Sequence, residues 1–334
     1  MTYEPDSSGI AENKEEGYIY LKPIYDEKLI DENKRAIQSK IDNCISPRLK
    51  VSMREIKGFG EDGSGYVIVV RINRSINAPH ATRSEKRFSF YSRTSSGKKK
   101  MDIYEIRQAF AENEMLSERI EQFIDKRLSM IWSHETPIKI NVPTRLVLHM
   151  VPAYNFLVKN KIPPIEIAKN ICFHRTITDG SGIGRYNFDG FYCYDQQTNN
   201  YVQIFTNGVL EAVDGNPVSD LDPDCIPSLL FERKLISSIS SYIEGYKRIG
   251  LELPIIISVT LMGFEGKRMA VSPKRTFSFT GSAINRNQMK VPSVIYEDWN
   301  LDVARAIRPI LDSIWNACGR PCSENYDSNG NWTD

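Results

Sequence analysis

The sequence predicts an α+β protein with two domains. Its 334 residues and 41% apolar content are sufficient for two hydrophobic cores. Over the first 133 residues, the patterns occur in the order strand, helix, three strands, helix, which is typical of an α+β domain. Two prolines and little apolar pattern mark a linker at 134–143. We therefore expect a loose segment at 1–16, a first domain at 17–133 and a second, mixed α/β domain at 144–334.

The strands and the helix of the first domain follow from the spacing of apolar residues. Alternation predicts a short strand at 18–25, and apolar residues at intervals near 3.6 predict an amphipathic helix at 27–45. The β-branched run YVIVVRI at 66–72 is the strongest strand signal, with 50–56 as its hairpin partner. The segment RFSFYSR at 87–93 predicts a further strand.

Asp102 and Glu105 predict the start of the helix that ends the first domain. An acidic N-cap residue followed three positions later by Glu forms a capping box, in which each side chain accepts a hydrogen bond from the other residue's N–H. We expect a helical segment to about Phe110 and a second at 113–133, with its apolar residues on one face.

Apolar runs and turn residues define the second domain. Residues 145–151 (RLVLHMV) and 254–262 (PIIISVTLM) predict buried strands, and Asn207-Gly208 between two alternating runs predicts a hairpin. Helices are expected at 227–250 and 301–318, the second ending at a glycine.

Residue patterns argue against several classes of function. No run of 18 apolar residues occurs and the first residues lack a secretory signal, so we expect a cytoplasmic protein without membrane contact. No phosphate-binding loop or hydrolase elbow is found, and the scattered cysteines and histidines lack zinc-site spacing. We therefore predict no metal and no other cofactor, and we interpret His149 as a hydrogen-bonded core residue.

Positive charge is concentrated in residues 71–100. This segment has nine Lys or Arg and one acidic residue, Glu85, whereas the whole chain has a net charge of +1. So local an excess favours contact with a polyanion over a generally adhesive surface.

The strand at 87–93 offers a mechanism for that contact. Because strand side chains alternate, Arg87, Tyr91 and Arg93 face the same side, and three lysines follow. Arg and Lys neutralise phosphates, and a tyrosine stacks on bases or donates to phosphate oxygens. The predicted nucleic-acid-binding residues are Arg87, Tyr91, Arg93, Lys98, Lys99 and Lys100. The alternative is that these cations pair with acids of the helical region 105–121.

Longer motifs carry a family resemblance. YVIVVRIN, followed by NAPH at 77–80 and by FYSRTSSGKKKMDIYEIRQAF, resembles the second half of the Schlafen AlbA-type domain of bacterial proteins. Those proteins are often labelled DNA-binding or, in an older assignment, ATP-binding. NFDG at 187–190 and the motif at 308–332, which includes Trp315 and Trp332, resemble the C-terminal region of one bacterial subgroup.

This resemblance implies a Schlafen AlbA-like α+β domain that lacks its first half, followed by the mixed α/β domain. The metal-binding acids of the RNA-cutting relatives lie mostly in that first half. Only Glu12, or less closely Glu15 or Glu16, corresponds to one of them. The resemblance also implies a homo-oligomer, or a partner chain that completes the first domain.

Three functions follow from the sequence. The leading one is binding of DNA or RNA through phosphates, in a defence or regulatory system. The second is a metal-dependent ribonuclease, which would use a divalent metal and take its missing acids from a longer start or a partner chain. The third is a structural or interaction protein whose basic strand is paired internally.

Overall fold

The computed structural model describes residues 10–13, 18–21, 23–60, 62–72, 75–84, 87–94, 97–158, 161–177, 182–195, 197–220, 222–270 and 281–333. Helices and strands are mixed throughout, which confirms the α+β class at this level. The chain forms two compact units, residues 1–114 and 115–334. No helix in the described ranges is long and apolar enough to cross a membrane.

The division between the units differs from the predicted linker at 134–143, because that segment belongs to the core of the second unit. Ile140 is fully buried, and Arg145 donates hydrogen bonds to the backbone carbonyls of Val142 and Ile140 at 2.8 and 3.3 Å. Two prolines therefore mark an ordered segment here and not a free connection.

The first unit contains one complete helix, several short sheets and the start of a second helix. Its elements are β1 (Ile10–Asn13), β2 (Tyr18–Leu21), α1 (Glu27–Cys44), β3 (Ile45–Ser46), β4 (Val51–Phe59), β5 (Gly65–Ile72), β6 (Ala81–Ser84), β7 (Arg87–Thr94), β8 (Gly97–Lys100) and α2 (Ile103–Trp132). The strands pair as β1-β2, as β4-β5 and in the order β3-β6-β7-β8.

Most predicted elements of this unit are confirmed. Helix α1 begins after Asp26, whose side chain accepts a hydrogen bond from the Lys28 N–H at 2.9 Å. Two expectations are corrected. The segment 1–16 contains β1, and its other residues lie outside the described ranges. The two helical segments expected after Asp102 form the single helix α2.

The second unit has an eight-stranded sheet covered by helices. Its elements are α3 (Ala153–Val158), α4 (Pro164–Ala168), a 3-10 helix (Ile171–His174), α5 (Ser228–Arg248), α6 (Val303–Ala317), β9 (Arg145–Pro152), β10 (Ile183–Asn187), β11 (Gly190–Asp195), β12 (Asn200–Phe205), β13 (Leu210–Asp214), β14 (Cys225–Pro227), β15 (Ile255–Met262), β16 (Arg268–Ala270), β17 (Gln288–Lys290) and β18 (Val294–Tyr296). The sheet order is β10-β11-β12-β13-β9-β15-β17, and β18 also pairs with β15.

Alternation along the central strand β9 explains the layers of this unit. Leu146, Leu148 and Met150 join the core formed with α5 and α6. Val147 and Val151 point to the other face and join the apolar residues that α2 contributes from Leu116 onwards. Because both faces are covered, every residue of β9 is buried, as its apolar run predicts.

A buried polar cluster joins α2 to the sheet. Glu211 of β13 is fully buried and accepts hydrogen bonds from Arg127 Nε and Nη2, both at 2.8 Å. Tyr201 donates to Glu211 Oε1 at 2.8 Å, and His149 Nε2 lies 3.0 Å from Oε2. His149 is thus a hydrogen-bonded core residue, which confirms its interpretation.

The pKa of Glu211 reflects two opposed effects. Burial raises the pKa of this carboxyl, but the hydrogen bonds from Arg127 and His149 outweigh burial and hold the pKa at about 2. Glu211 is therefore ionised at neutral pH and balances the buried guanidinium of Arg127.

Replacing Arg127 by Met is expected to destabilise the chain by about 3–5 kcal/mol, because it leaves the Glu211 carboxylate buried and unpaired. Urea unfolding followed by tryptophan fluorescence measures this change. The double variant Arg127→Met, Glu211→Leu should be more stable than the single variant, since it holds no unpaired charge. A double variant that is less stable than the single one would contradict this account.

The cluster also predicts a loss of stability in acid. The folded pKa of Glu211, about 2, lies below the ordinary unfolded value, so its contribution is complete above about pH 4.3 and is lost as the pH falls towards 2. The expected loss is about 3 kcal/mol of unfolding free energy. Urea unfolding at pH 6, 4 and 2 measures most of this loss, and the double variant should show a smaller dependence over this range.

Candidate nucleic-acid interface

The predicted basic residues lie on the β7–β8 pair of the first unit. Arg93 is directly opposite Lys98, and Tyr91 is directly opposite Lys100 in the antiparallel register. Residues directly opposite one another share a face of the sheet, and so do alternate residues along one strand. One face, which we call the basic face, therefore presents Arg87, Tyr91, Arg93, Lys98 and Lys100.

The other face of β7 packs on the start of α2. Phe90 contacts Phe110 edge-on, with 6.0 Å between the ring centroids. The Met101 N–H donates to the Phe90 carbonyl at 2.9 Å. These contacts fix which side of the strand faces the helix, so the basic face is directed away from it.

Lys99 is the predicted site residue that does not share the basic face. It is opposite Ser92 in the register, on the Phe90 side of the sheet, and its Nζ lies 2.8 Å from Glu105 Oε1. The hydrogen bond to Glu105 and the charge of Glu105 raise the pKa of Lys99. The same hydrogen bond lowers the pKa of Glu105. The charge of Lys99 is thus already balanced within the chain.

Glu105 also forms the predicted capping box. Its Oε2 accepts from the Asp102 N–H at 2.9 Å, and Asp102 Oδ1 accepts from the Glu105 N–H at 2.8 Å. The same carboxylate therefore starts α2 and holds β8 through Lys99. This double role confirms the sequence pattern and explains the position of Lys99.

Tyr91 is covered on one side by a cation. Lys98 Nζ lies 4.3 Å from the centroid of the Tyr91 ring, in cation–π geometry. Tyr91 is nevertheless 37% exposed. A base can stack on the covered side of the Tyr91 ring only if Lys98 is displaced. The cations of the basic face can contact a phosphate without any such change.

The basic face holds cations that the fold itself does not balance. Arg87, Arg93, Lys98 and Lys100 are exposed, and none forms an ion pair with an acidic residue in the described part of the chain. Arg93 and Lys98 are a like-charge pair directly opposite one another, which destabilises a sheet. An anion between these two cations would relieve that repulsion.

Glu12, the catalytic candidate, lies in β1 opposite Ile19 of β2. Within the described ranges, no three His, Cys, Asp or Glu residues come together as a group that could hold a metal ion.

The C-terminal motif packs against α5 around one buried carboxylate. Glu232 of α5 is buried, and its Oε1 accepts hydrogen bonds from Trp315 Nε1 at 2.6 Å and Ser323 Oγ at 2.7 Å. Its Oε2 accepts from Trp332 Nε1 at 2.8 Å. The motif thus holds the C-terminal segment against α5. Its hydrogen-bond acceptor, Glu232, lies too far away in the sequence to be recognised from the motif.

No protein-family model, no curated protein and no solved structure matches the chain.

Proposed function

We propose that the chain binds nucleic acid, DNA or RNA, through the basic face of β7 and β8. Arg87, Arg93, Lys98 and Lys100 contact phosphates, and the Tyr91 hydroxyl donates to a phosphate oxygen. The observation that supports this most directly is that four exposed cations share one face without an acidic partner among the described residues. Lys99 has a positioning role, because Glu105 holds it on the other face.

The chemistry of the face favours the phosphate backbone over the bases. Alternate residues of a strand are about 6.8 Å apart, so Arg87 and Arg93 are separated by about 20 Å along β7. Lys98 and Lys100 lie beside the Arg93 end of this line. Such a row of charges neutralises the phosphate backbone. A single, partly covered aromatic ring distinguishes little between base sequences.

The resemblance of residues 66–110 to the Schlafen AlbA-type domain supports the same function. We also propose that the chain acts in defence or regulation, in the cytoplasm. Internal pairing of the basic strand is supported for Lys99 alone. No observation in the described ranges specifically favours the ribonuclease alternative. We therefore propose nucleic-acid binding as the function.

The triple variant Arg93→Ser, Lys98→Ser, Lys100→Ser is expected to bind a DNA duplex or an RNA hairpin more weakly than the wild type. Its slope of log affinity against log salt should be less steep by about 2.7 on duplex DNA, since each lost phosphate contact contributes about 0.9. Fluorescence anisotropy between 50 and about 200 mM salt covers a suitable range.

Lys99→Ser provides the matched control, because it removes an adjacent lysine from the other face. It should leave the slope nearly unchanged, whereas Lys98→Ser, which removes one cation from the basic face, should make the slope less steep by about 0.9. An unchanged slope in the triple variant, or an equal loss for Lys99→Ser and Lys98→Ser, would contradict the proposal. Circular dichroism of each variant checks that the chain remains folded.

A further inference from the structure

The β4–β5 hairpin has an unpaired edge of apolar residues. These two strands form a sheet of their own, and beyond them β5 makes one isolated bridge, from Tyr66 to Ile24. A two-stranded hairpin is marginally stable in water, and three or more strands or a covering helix are needed. The hairpin therefore needs support beyond its own pairing.

Helix α1 gives that support on one face of the hairpin. Tyr66 of β5 donates to Glu27 at 2.7 Å, and Lys34 of α1 pairs with Glu55 of β4. Ile56 and Val69 share the opposite face and are 42% and 44% exposed. One face is thus partly covered, while the other face and the β5 edge are not.

The bridge to Ile24 shows which backbone groups of β5 point outward. The Tyr66 N–H and C=O both bond to Ile24 at 2.8 Å, so Tyr66 directs both groups away from β4. Because this direction alternates along a strand, Ile68, Val70 and Ile72 also direct theirs outward. None of these three has a backbone partner on that side among the described residues.

We propose that β5 pairs in antiparallel orientation with β5 of a second copy of this chain, across a two-fold axis at Val70. In this register Val70 faces Val70, and Ile68 faces Ile72. The three outward residues of each copy then exchange up to about six hydrogen bonds, two for each pair. The result is a four-stranded sheet, β4-β5-β5-β4, which adds strands to a hairpin that α1 supports on one face only.

Other registers are less favourable. An axis at Ile68 or at Val69 requires the outward groups of Tyr66, which Ile24 already occupies. An axis at Arg71 places two arginines directly opposite one another. Of these four axes, the one at Val70 avoids both conflicts, and it places Arg71 opposite Val69.

The charges on the two strands also favour pairing through β5. The middle of β4 carries Arg54, Glu55 and Lys57, and charged residues protect an edge from pairing. The outward residues of β5 are Ile68, Val70 and Ile72, all β-branched, and pairs of such residues stabilise sheets. This inference is independent of the proposed nucleic-acid binding.

Disulfide cross-linking tests both the dimer and its register. In a Cys44→Ser background, which removes the exposed native thiol, Val70→Cys should form a disulfide-linked dimer under mild oxidation. Its two Cα atoms lie about 5.5 Å apart, within the disulfide range. Val67→Cys is the matched control, because its two Cα atoms lie about 20 Å apart across the axis.

Non-reducing gels read the cross-link, and light scattering reads the mass of the uncross-linked full chain. We expect a mass of two chains, each of 38.2 kDa, and a cross-link for Val70→Cys alone. Equal cross-linking of the two cysteine variants would overturn the register. A wild-type chain that stays monomeric at tens of micromolar, or forms larger assemblies, would overturn the dimer.

Discussion

The buried pair of Arg127 and Glu211 is the constraint on which the second unit depends. A carboxylate inside a sheet costs several kcal/mol unless it is paired and hydrogen-bonded, and Glu211 accepts four hydrogen bonds, two of them from one guanidinium. Arg127 lies on α2 and Glu211 lies on β13. The ion pair between them therefore holds the helix against the sheet. The apolar residues of α2 from Leu116 to Ile131 then cover the same face. The pair therefore specifies where α2 packs, and the apolar contacts supply most of the burial.

The charges of the basic face follow the opposite pattern. Arg127 is buried and has its partner within the chain, whereas Arg93 and Lys98 are exposed, face one another and have no acidic partner in the described ranges. Lys99, between Lys98 and Lys100, shows that the fold can balance a lysine here when the geometry allows, since Glu105 reaches it. A fold that pairs one lysine and leaves its neighbours unpaired keeps a repulsive surface. A binding function gives a physical reason for that cost, because local conflicts of this kind concentrate at functional sites.

Elements with local signals were predictable from the sequence. The helix spacing of α1, the β-branched run of β5, the capping box of Asp102 and Glu105 and the Asn207-Gly208 hairpin all depend on neighbours a few residues apart. The partners of Arg127 and of Trp315 were not predictable, because they lie 84 and 83 residues away. The side on which Lys99 lies depends on pairing of the short strand β8, which composition does not reveal. The sequence therefore predicts a concentration of positive charge. The strand register of β7 and β8 is needed to decide which residues lie on the basic face.

The proposed contact is between nucleic acid and the face formed by β7 and β8. Hydrogen–deuterium exchange of the full chain, with and without a saturating DNA duplex or RNA hairpin, tests it most directly, since it locates contact without altering a residue. The account predicts that the nucleic acid slows exchange in peptides from residues 87–100 and leaves peptides from β9, β13 and α5 unchanged. Slower exchange confined to the second unit, or no change at a concentration that saturates binding, would contradict the account.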